Sequence, residues 1–254
     1  MAQYPYKDQL EIPGYQLFIN ESFNDSDTRG VAIYIDSRLS SIPVNNKITE
    51  TFKDSVWASI DLKGRKPLLI GSVYRSGTIG KALSHDKNLN NMITTMSLDK
   101  KYSDTVILGD FNYPHISWKK PPPTSTHQNI DHPENQFLEC LKDSYLQQLF
   151  VKPTRYVKGQ KANVLDLLLT TDPLIIDDIK YGCHLGSSDH IITTFTAEVK
   201  LAQTPFIKRK VIDYHKTDSE KMIKILEEED WEKIRKIKML MKPTTTSEKF
   251  TKEQ

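Results

Sequence analysis

The stretch that decides the fold is Thr105-Val106-Ile107-Leu108-Gly109-Asp110-Phe111-Asn112. Thr105 to Leu108 is a short apolar, partly β-branched run closed by a glycine, the pattern of a buried strand. Asp110 and Asn112 therefore fall at the strand's C-terminal end. In an extended loop, residues two apart point to one side, so a carboxylate and an amide share a face while Phe111 between them anchors in the core. The same tetrapeptide is also good turn chemistry, and its surroundings must decide.

Upstream, Val31 to Asp36 is β-branched and aromatic and reads as a strand. Val56 to Asp61 alternates with period two, Lys63-Gly64-Arg65 turns the chain, and Pro67 to Arg75 runs back, which makes a hairpin. From about Asp86 to Met96, the residues Leu89, Met92, Ile93 and Met96 recur at helical spacing.

Downstream, a proline-rich loop from Pro114 to Pro133 precedes a helix expected over Glu134 to Phe150, with Phe137, Leu138, Leu141, Tyr145, Leu146 and Leu149 as its apolar stripe. Val164 to Thr170, Ile175 to Lys180 and Ile191 to Val199 read as strands, with the turn Leu185-Gly186-Ser187-Ser188-Asp189-His190 before the last. Strands dominate and no long βαβ repeat occurs. The expected fold class is α+β, two packed sheets with helices outside. Residues 1–200 form the expected domain. Residues 201–254 are read as a charged connector and tail, in which Met222, Ile223, Leu226, Trp231, Ile234 and Ile237 give an amphipathic stretch over 219–240, before a polar, disordered end.

The 254 residues are 37% hydrophobic and 27% charged, ordinary for a globular domain and enough for one large core. No apolar run approaches the roughly 18 residues of a membrane span, and the start lacks a signal-peptide pattern, so a nuclear or cytoplasmic, non-secreted protein with no membrane partner is expected. Cys140 and Cys183 have no metal-ligand spacing to each other or to paired histidines, so no zinc site is expected. A net charge of +2 does not establish a polyanionic partner, and the clusters Arg65-Lys66, Lys119-Lys120 and Lys208-Arg209-Lys210 each read singly as solvated surface.

Hydrolysis of a phosphodiester needs an activated water, positive charge or donors for the phosphoryl oxygens, and stabilisation of the leaving oxygen. Groups suited to those tasks stand at several strand ends: Tyr74, Asp110 with Asn112, Asp166, and Asp189 with His190. Asp189 is a hard oxygen donor for a divalent cation beside an imidazole. Asp166 lies in an apolar strand, where a lone carboxylate is costly, so it needs a partner such as a histidine N–H. Taken singly, Tyr74 reads as a sheet aromatic and Arg75 as a surface cation.

In their order, the segments Pro13-Gly14-Tyr15, Arg29-Gly30-Val31-Ala32-Ile33-Tyr34, Val73-Tyr74-Arg75, Ile107 to Asn112, Leu165-Asp166-Leu167-Leu168-Leu169-Thr170 and Leu185 to His190 resemble the endonuclease/exonuclease/phosphatase superfamily. Within it, they resemble the apurinic-like, deoxyribonuclease I-like endonuclease domain of non-LTR retrotransposons, over about residues 10–200. The resemblance implies a four-layered α/β sandwich with two mixed sheets, and a magnesium-dependent (or manganese-dependent) endonuclease that nicks DNA and is joined to a reverse transcriptase in a full-length element. It assigns the attacking water to Asp110, phosphate binding to Asn112 and Tyr74, metal ligation to Asp189 and Asp110, and a phosphate-bound imidazole to His190, held by Asp166. It also implies an earlier strand bearing an asparagine and another ending in a magnesium-binding glutamate in a Glu-Thr-Trp context. The chain begins beyond that point, and neither Glu11 nor Glu21 stands in that context. A fold incomplete at the N-terminus, with open sheet edges, is expected. The competing readings are a catalytically inactive remnant that at most binds nucleic acid, and another phosphodiesterase or phosphatase of the superfamily.

Overall fold

The computed structural model describes residues 10–20, 30–77, 82–119, 121–202 and 219–228. Glu21, Arg29, Lys120, the cluster Lys208-Arg209-Lys210, Trp231, Ile234, Ile237 and the polar tail lie outside the described residues. The chain divides into two units, Met1–Phe206 and Ile207–Gln254.

The first unit is built on the hairpin expected from the sequence. Strands β4 (Ser55–Ile60) and β5 (Leu68–Tyr74) pair antiparallel, from Ser55 opposite Val73 to Ile60 opposite Leu68. Gly64 turns the chain between them at a φ of 72° that side chains rarely adopt. From β5 the chain crosses through helix α1 (Ala82–Ser97) to β6 (Thr105–Asp110), which lies parallel to β5. That approach requires Gly109, because its φ is 147° and a Cβ there would lie 1.7 Å from the Val73 carbonyl oxygen. With β3 (Ser41–Pro43) on one edge and β10 (Asp166–Thr170) and β9 (Gln147–Gln148) on the other, the strands form a six-stranded mixed sheet in the order β3-β4-β5-β6-β10-β9.

The two faces of this sheet are covered differently. On one, α1 and α2 (Pro133–Asp143) bury Leu89, Met92, Ile93, Phe137 and Leu141 against Trp57, Leu69, Val73, Ile107, Leu167 and Leu169. Each such side chain contributes roughly 1.5–3 kcal/mol of transfer free energy. On the other face lie two antiparallel hairpins. The pair β1 (Tyr15–Ile19) and β2 (Ala32–Asp36) packs Phe18 and Ile35 with Val56, Ala58 and Ile60. The pair β11 (Ile176–His184) and β12 (Ile191–Ala197) packs Ile176, Ile179 and Phe195 with Leu68, Val106 and Leu168. A short ribbon, β7 (Ile116–Ser117) with β8 (Thr124–Ser125), occupies the proline-rich loop. The fold is thus the α+β sandwich expected: helices, a mixed sheet, and a second layer of strands. Among the described residues, that second layer is two separate ribbons.

One expectation is corrected. The helix foreseen over 134–150 ends at Asp143. Tyr145 takes a φ of 55°, and the Leu146 N–H reaches back to the Leu141 carbonyl at 2.9 Å, the six-to-one bond that closes a helix end. Tyr145 is consequently 75% exposed, Leu146 folds back into the core, and Gln147–Gln148 becomes edge strand β9 against Leu169 and Thr170. In the second unit, the described residues contain helix α3 (Ser219–Glu228), and residues 229–240 of the expected amphipathic stretch lie outside the described residues.

Candidate active site

The pairing of β5, β6 and β10 lines up three polar residues at one end of the sheet. Tyr74 stands opposite Asp110 in the parallel pair, and Asp166 stands opposite Asp110 in the antiparallel pair. Partners in register share a face, and by the two-residue period this row continues Leu108, Ile70 and Leu168, which face the β11–β12 hairpin. The catalytic candidates therefore sit at a strand end between the sheet and the second layer.

The turn before β12 delivers Asp189 and His190 to this row. An isolated bridge pairs Arg155 with His190, the Ile191 N–H donates to the Thr154 carbonyl at 2.9 Å, and the His190 N–H donates to Ser188 Oγ at 3.1 Å. His190 Nδ1 then lies 2.8 Å from Asp166 Oδ2, so Asp166 has the imidazole partner its position called for. A carboxylate at Nδ1 keeps the ring proton there and turns Nε2 toward the rest of the site. Nε2 is 4.0 Å from Asp110 Oδ2 and 3.9 Å from Asp189 Oδ1.

Asp110 is held by its neighbour. The Asn112 backbone N–H donates to Asp110 Oδ1 at 3.0 Å and the Asn112 amide to Oδ2 at 2.9 Å. The same amide donates to the Arg75 carbonyl at 2.7 Å, so both of its hydrogens are engaged. Asn112 has a φ of 48°, a strained conformation that asparagine tolerates and that tends to appear where geometry matters. Burial, reinforced by the negative charge of Asp166, pushes the Asp110 carboxyl above its usual range. The Arg155 guanidinium, 2.6 Å from Asp189 Oδ2, holds the Asp189 carboxyl below it.

Several supporting residues carried no signal in the sequence. Arg75 is not a surface cation. It alternates with Tyr74 and so points to the helix side, where Nε and Nη2 pair with both oxygens of Asp86 at 2.6 and 3.0 Å. Its Nη1 donates to the Asn112 carbonyl at 3.1 Å, and its guanidinium lies 4.0 Å over the Tyr113 ring. Thr154, fully buried, accepts the N–H groups of Leu165 and Asp166 at 3.1 and 3.0 Å and fixes the entry to β10. Arg155 steers Asp189. The one available clue was alternation: a cation following Tyr74 in a strand must face the opposite, buried side and needs a carboxylate there.

Asp110 with Asp166 forms a like-charge pair next to a histidine. An open cleft of about 700 Å³ lined by Phe18, Asn20, Lys53 and Trp57 contains none of these residues. Donors for a divalent cation are present: Asp189 Oδ1 faces the site, and the neighbouring Asp110 and Asp166 carboxylates concentrate negative charge that a cation relieves.

A family model described as endonuclease-reverse transcriptase matches residues 68–194, half of the chain. Among solved structures, the endonuclease domain of TRAS1, a telomere-specific non-LTR retrotransposon, is 18% identical, with 74% of this chain and 81% of that one covered and a TM-score of 0.53. A humanized TDP2 of D. rerio is 11% identical, covering 72% and 75%, with a TM-score of 0.46. An endonuclease/exonuclease/phosphatase family protein from Bacteroides thetaiotaomicron is 12% identical, covering 72% and 75%, with a TM-score of 0.44. No curated protein matches the chain.

Proposed function

Because the chain belongs to the endonuclease-reverse transcriptase family, a branch of the nuclease and phosphodiesterase superfamily, we propose that it hydrolyses the DNA backbone as a divalent-metal-dependent endonuclease of the retrotransposon nicking type. The observation that carries this reading is the row of Tyr74, Asp110 and Asp166 across three strands with His190 seated on Asp166. Asp110, with its raised carboxyl pKa, accepts the proton of the attacking water, a role for which a carboxylate closer to neutrality is better matched. Asn112 orients that carboxylate through two hydrogen bonds, and its occupied amide makes it a positioning residue rather than an outward phosphate donor. His190, fixed by Asp166 at Nδ1, presents Nε2 to a phosphoryl oxygen. Tyr74, next to Asp110 in register, flanks the same phosphate.

Asp110 and Asp189 are the residues that would hold magnesium or manganese, which when bound supplies positive charge to the phosphoryl and leaving oxygens. Arg155 keeps Asp189 ionised for that purpose. The substrate is DNA, read by its backbone at this site, and no helix among the described residues is long and apolar enough to cross a membrane. The test is relaxation of supercoiled plasmid in magnesium by the purified chain. Asp110→Ala and His190→Ala should each slow nicking by about 10²–10⁴-fold, the usual contribution of a general acid or base. Absence of nicking by the unaltered chain would favour the inactive reading, and nicking insensitive to both substitutions would remove the assignment.

A further inference from the structure

The loop that follows Asn112 carries a second cluster of donors, none of them among the proposed catalytic residues. The ligating atoms of His127, His132 and Glu134 all lie within 4.8 Å of one another. The His127 and His132 rings stack with centroids 3.6 Å apart, and His115 stands edge-on to His127 at 5.2 Å. Glu134 is only 3% exposed, and no lysine or arginine pairs with it among the described residues; its nearest ionisable partner is His127 Nε2 at 3.8 Å. Hydrogen bonds and the N-terminus of α2 offset part of the cost of burying it, and a bound cation would offset more.

The surrounding bonds hold the carboxylate and the loop backbone in place. Glu134 Oε2 accepts from Ser125 Oγ at 2.7 Å and Oε1 from the His115 N–H at 3.2 Å. The Asn135 amide holds the carbonyls of His127 and Asn129 at 2.8 and 2.7 Å, fixing the backbone of the first histidine. Two donors about 2.1 Å from a tetrahedral ion stand about 3.4 Å apart. The 3.8 Å between His127 Nε2 and Glu134 Oε2 therefore needs only a small closure, whereas one of the two nearly parallel, stacked rings has to turn about its side-chain bonds before both lone pairs meet at one ion. The His132 Nδ1 lone pair now caps α2 through a long 3.3 Å bond from the Glu134 N–H, and coordination takes that lone pair over.

From this geometry we infer that His127, His132 and Glu134 form a transition-metal site, with zinc as the matching ion. Two imidazoles and one carboxylate select a borderline ion over magnesium, which prefers an all-oxygen shell. The two cysteines carry no zinc signal; here the donors are histidines five residues apart, 127 and 132, and a glutamate in the first turn of the helix that follows. Ser125 and Asn135 are the outer partners that orient them. The bound ion staples the ribbon β7–β8 to the start of α2 and so braces the segment leaving Asn112.

The test uses the purified full chain stripped of metal and titrated with cobalt(II) and then zinc chloride. One cobalt per chain should give the visible absorption of a four-coordinate centre, apart from any taken up at Asp110 and Asp189, and zinc should displace it. His127→Gln and His132→Asn, the second chosen because asparagine retains a helix-capping acceptor, should each weaken binding at least about tenfold, with circular dichroism unchanged. Ser125→Ala should weaken it about tenfold without removing a ligand. The double variant Asp110→Ala/Asp189→Ala should bind zinc as before. The inference is overturned by absence of a four-coordinate cobalt spectrum, by binding indifferent to the histidine substitutions, or by binding that disappears with Asp110 and Asp189.

Discussion

Replacing Arg75 by methionine should destabilise the protein severely, and the size of the effect follows from what the guanidinium leaves behind. The Arg75 and Asp86 side chains are 13% and 11% exposed, and their pairing is bidentate. Removing one partner of a buried pair strands the other charge, at about 3–5 kcal/mol. The lost bond to the Asn112 carbonyl adds about 1 kcal/mol. Against a total stability of about 5–15 kcal/mol, this is a large fraction. At about 2–4 °C per kcal/mol for a chain of this size, the midpoint should fall by roughly 8–24 °C. Urea unfolding, followed by the fluorescence of the buried Trp57 and Trp118, measures the change. Replacing the pair by Arg75→Met/Asp86→Leu should recover most of the stability, since an apolar pair of similar volume is often neutral. It should not recover the rate of nicking, because the Asn112 carbonyl still lacks its donor. A single variant within about 1 kcal/mol of the parent would refute the reasoning, as would a double variant no more stable than the single one.

Three further outcomes follow. Gly109→Ala should lose at least about 4 kcal/mol in the same unfolding assay, or fail to fold, because the new Cβ meets the Val73 backbone. Asn112→Ala should lose about 1–2 kcal/mol from its left-handed backbone as well as activity, whereas Asn112→Gly should keep the stability and still lose the activity. For Asp110, burial and Asp166 raise the folded-state pKa, so the proton is held more tightly folded than unfolded. Its contribution to stability is greatest below the unfolded value of 3.8 and declines as pH rises through the folded one. In the metal-free protein the Asp110 carboxyl should therefore titrate above 3.8, followed by carbon-13 NMR, and its midpoint should move down in Asp166→Asn; a midpoint unmoved by that substitution would argue against the repulsion between the two carboxylates.

What the sequence disclosed, and what it withheld, divides along physical lines. Strands β4, β5, β6 and β10 and helix α1 are legible because their apolar periodicity is set by burial on a sheet or a helix stripe. The end of α2 is not, because a tyrosine rather than a glycine takes the left-handed position, and no residue type announces it. Strands of two or three residues, such as β3, β7, β8 and β9, are too short to show a period. At the site, Asp110, Asn112, Asp166 and His190 were legible as polar residues at strand ends, and the need of Asp166 for a partner pointed to a ring N–H. The ion pairs Arg75 with Asp86 and Arg155 with Asp189, and the Thr154 oxygen at the head of β10, join residues that only the fold brings together. The glutamate of α2 and the loop histidines are hidden for the same reason.

The most direct measurement of the central claim is a double-mutant cycle on plasmid nicking, using the unaltered chain, Asp166→Asn, His190→Ala and the combination. If Asp166 acts by holding His190, His190→Ala should lose about 10²–10⁴-fold in rate, and Asp166→Asn should then remove almost nothing more. Losses that simply multiply, or nicking that survives His190→Ala, would contradict a phosphodiesterase centre built on that pair.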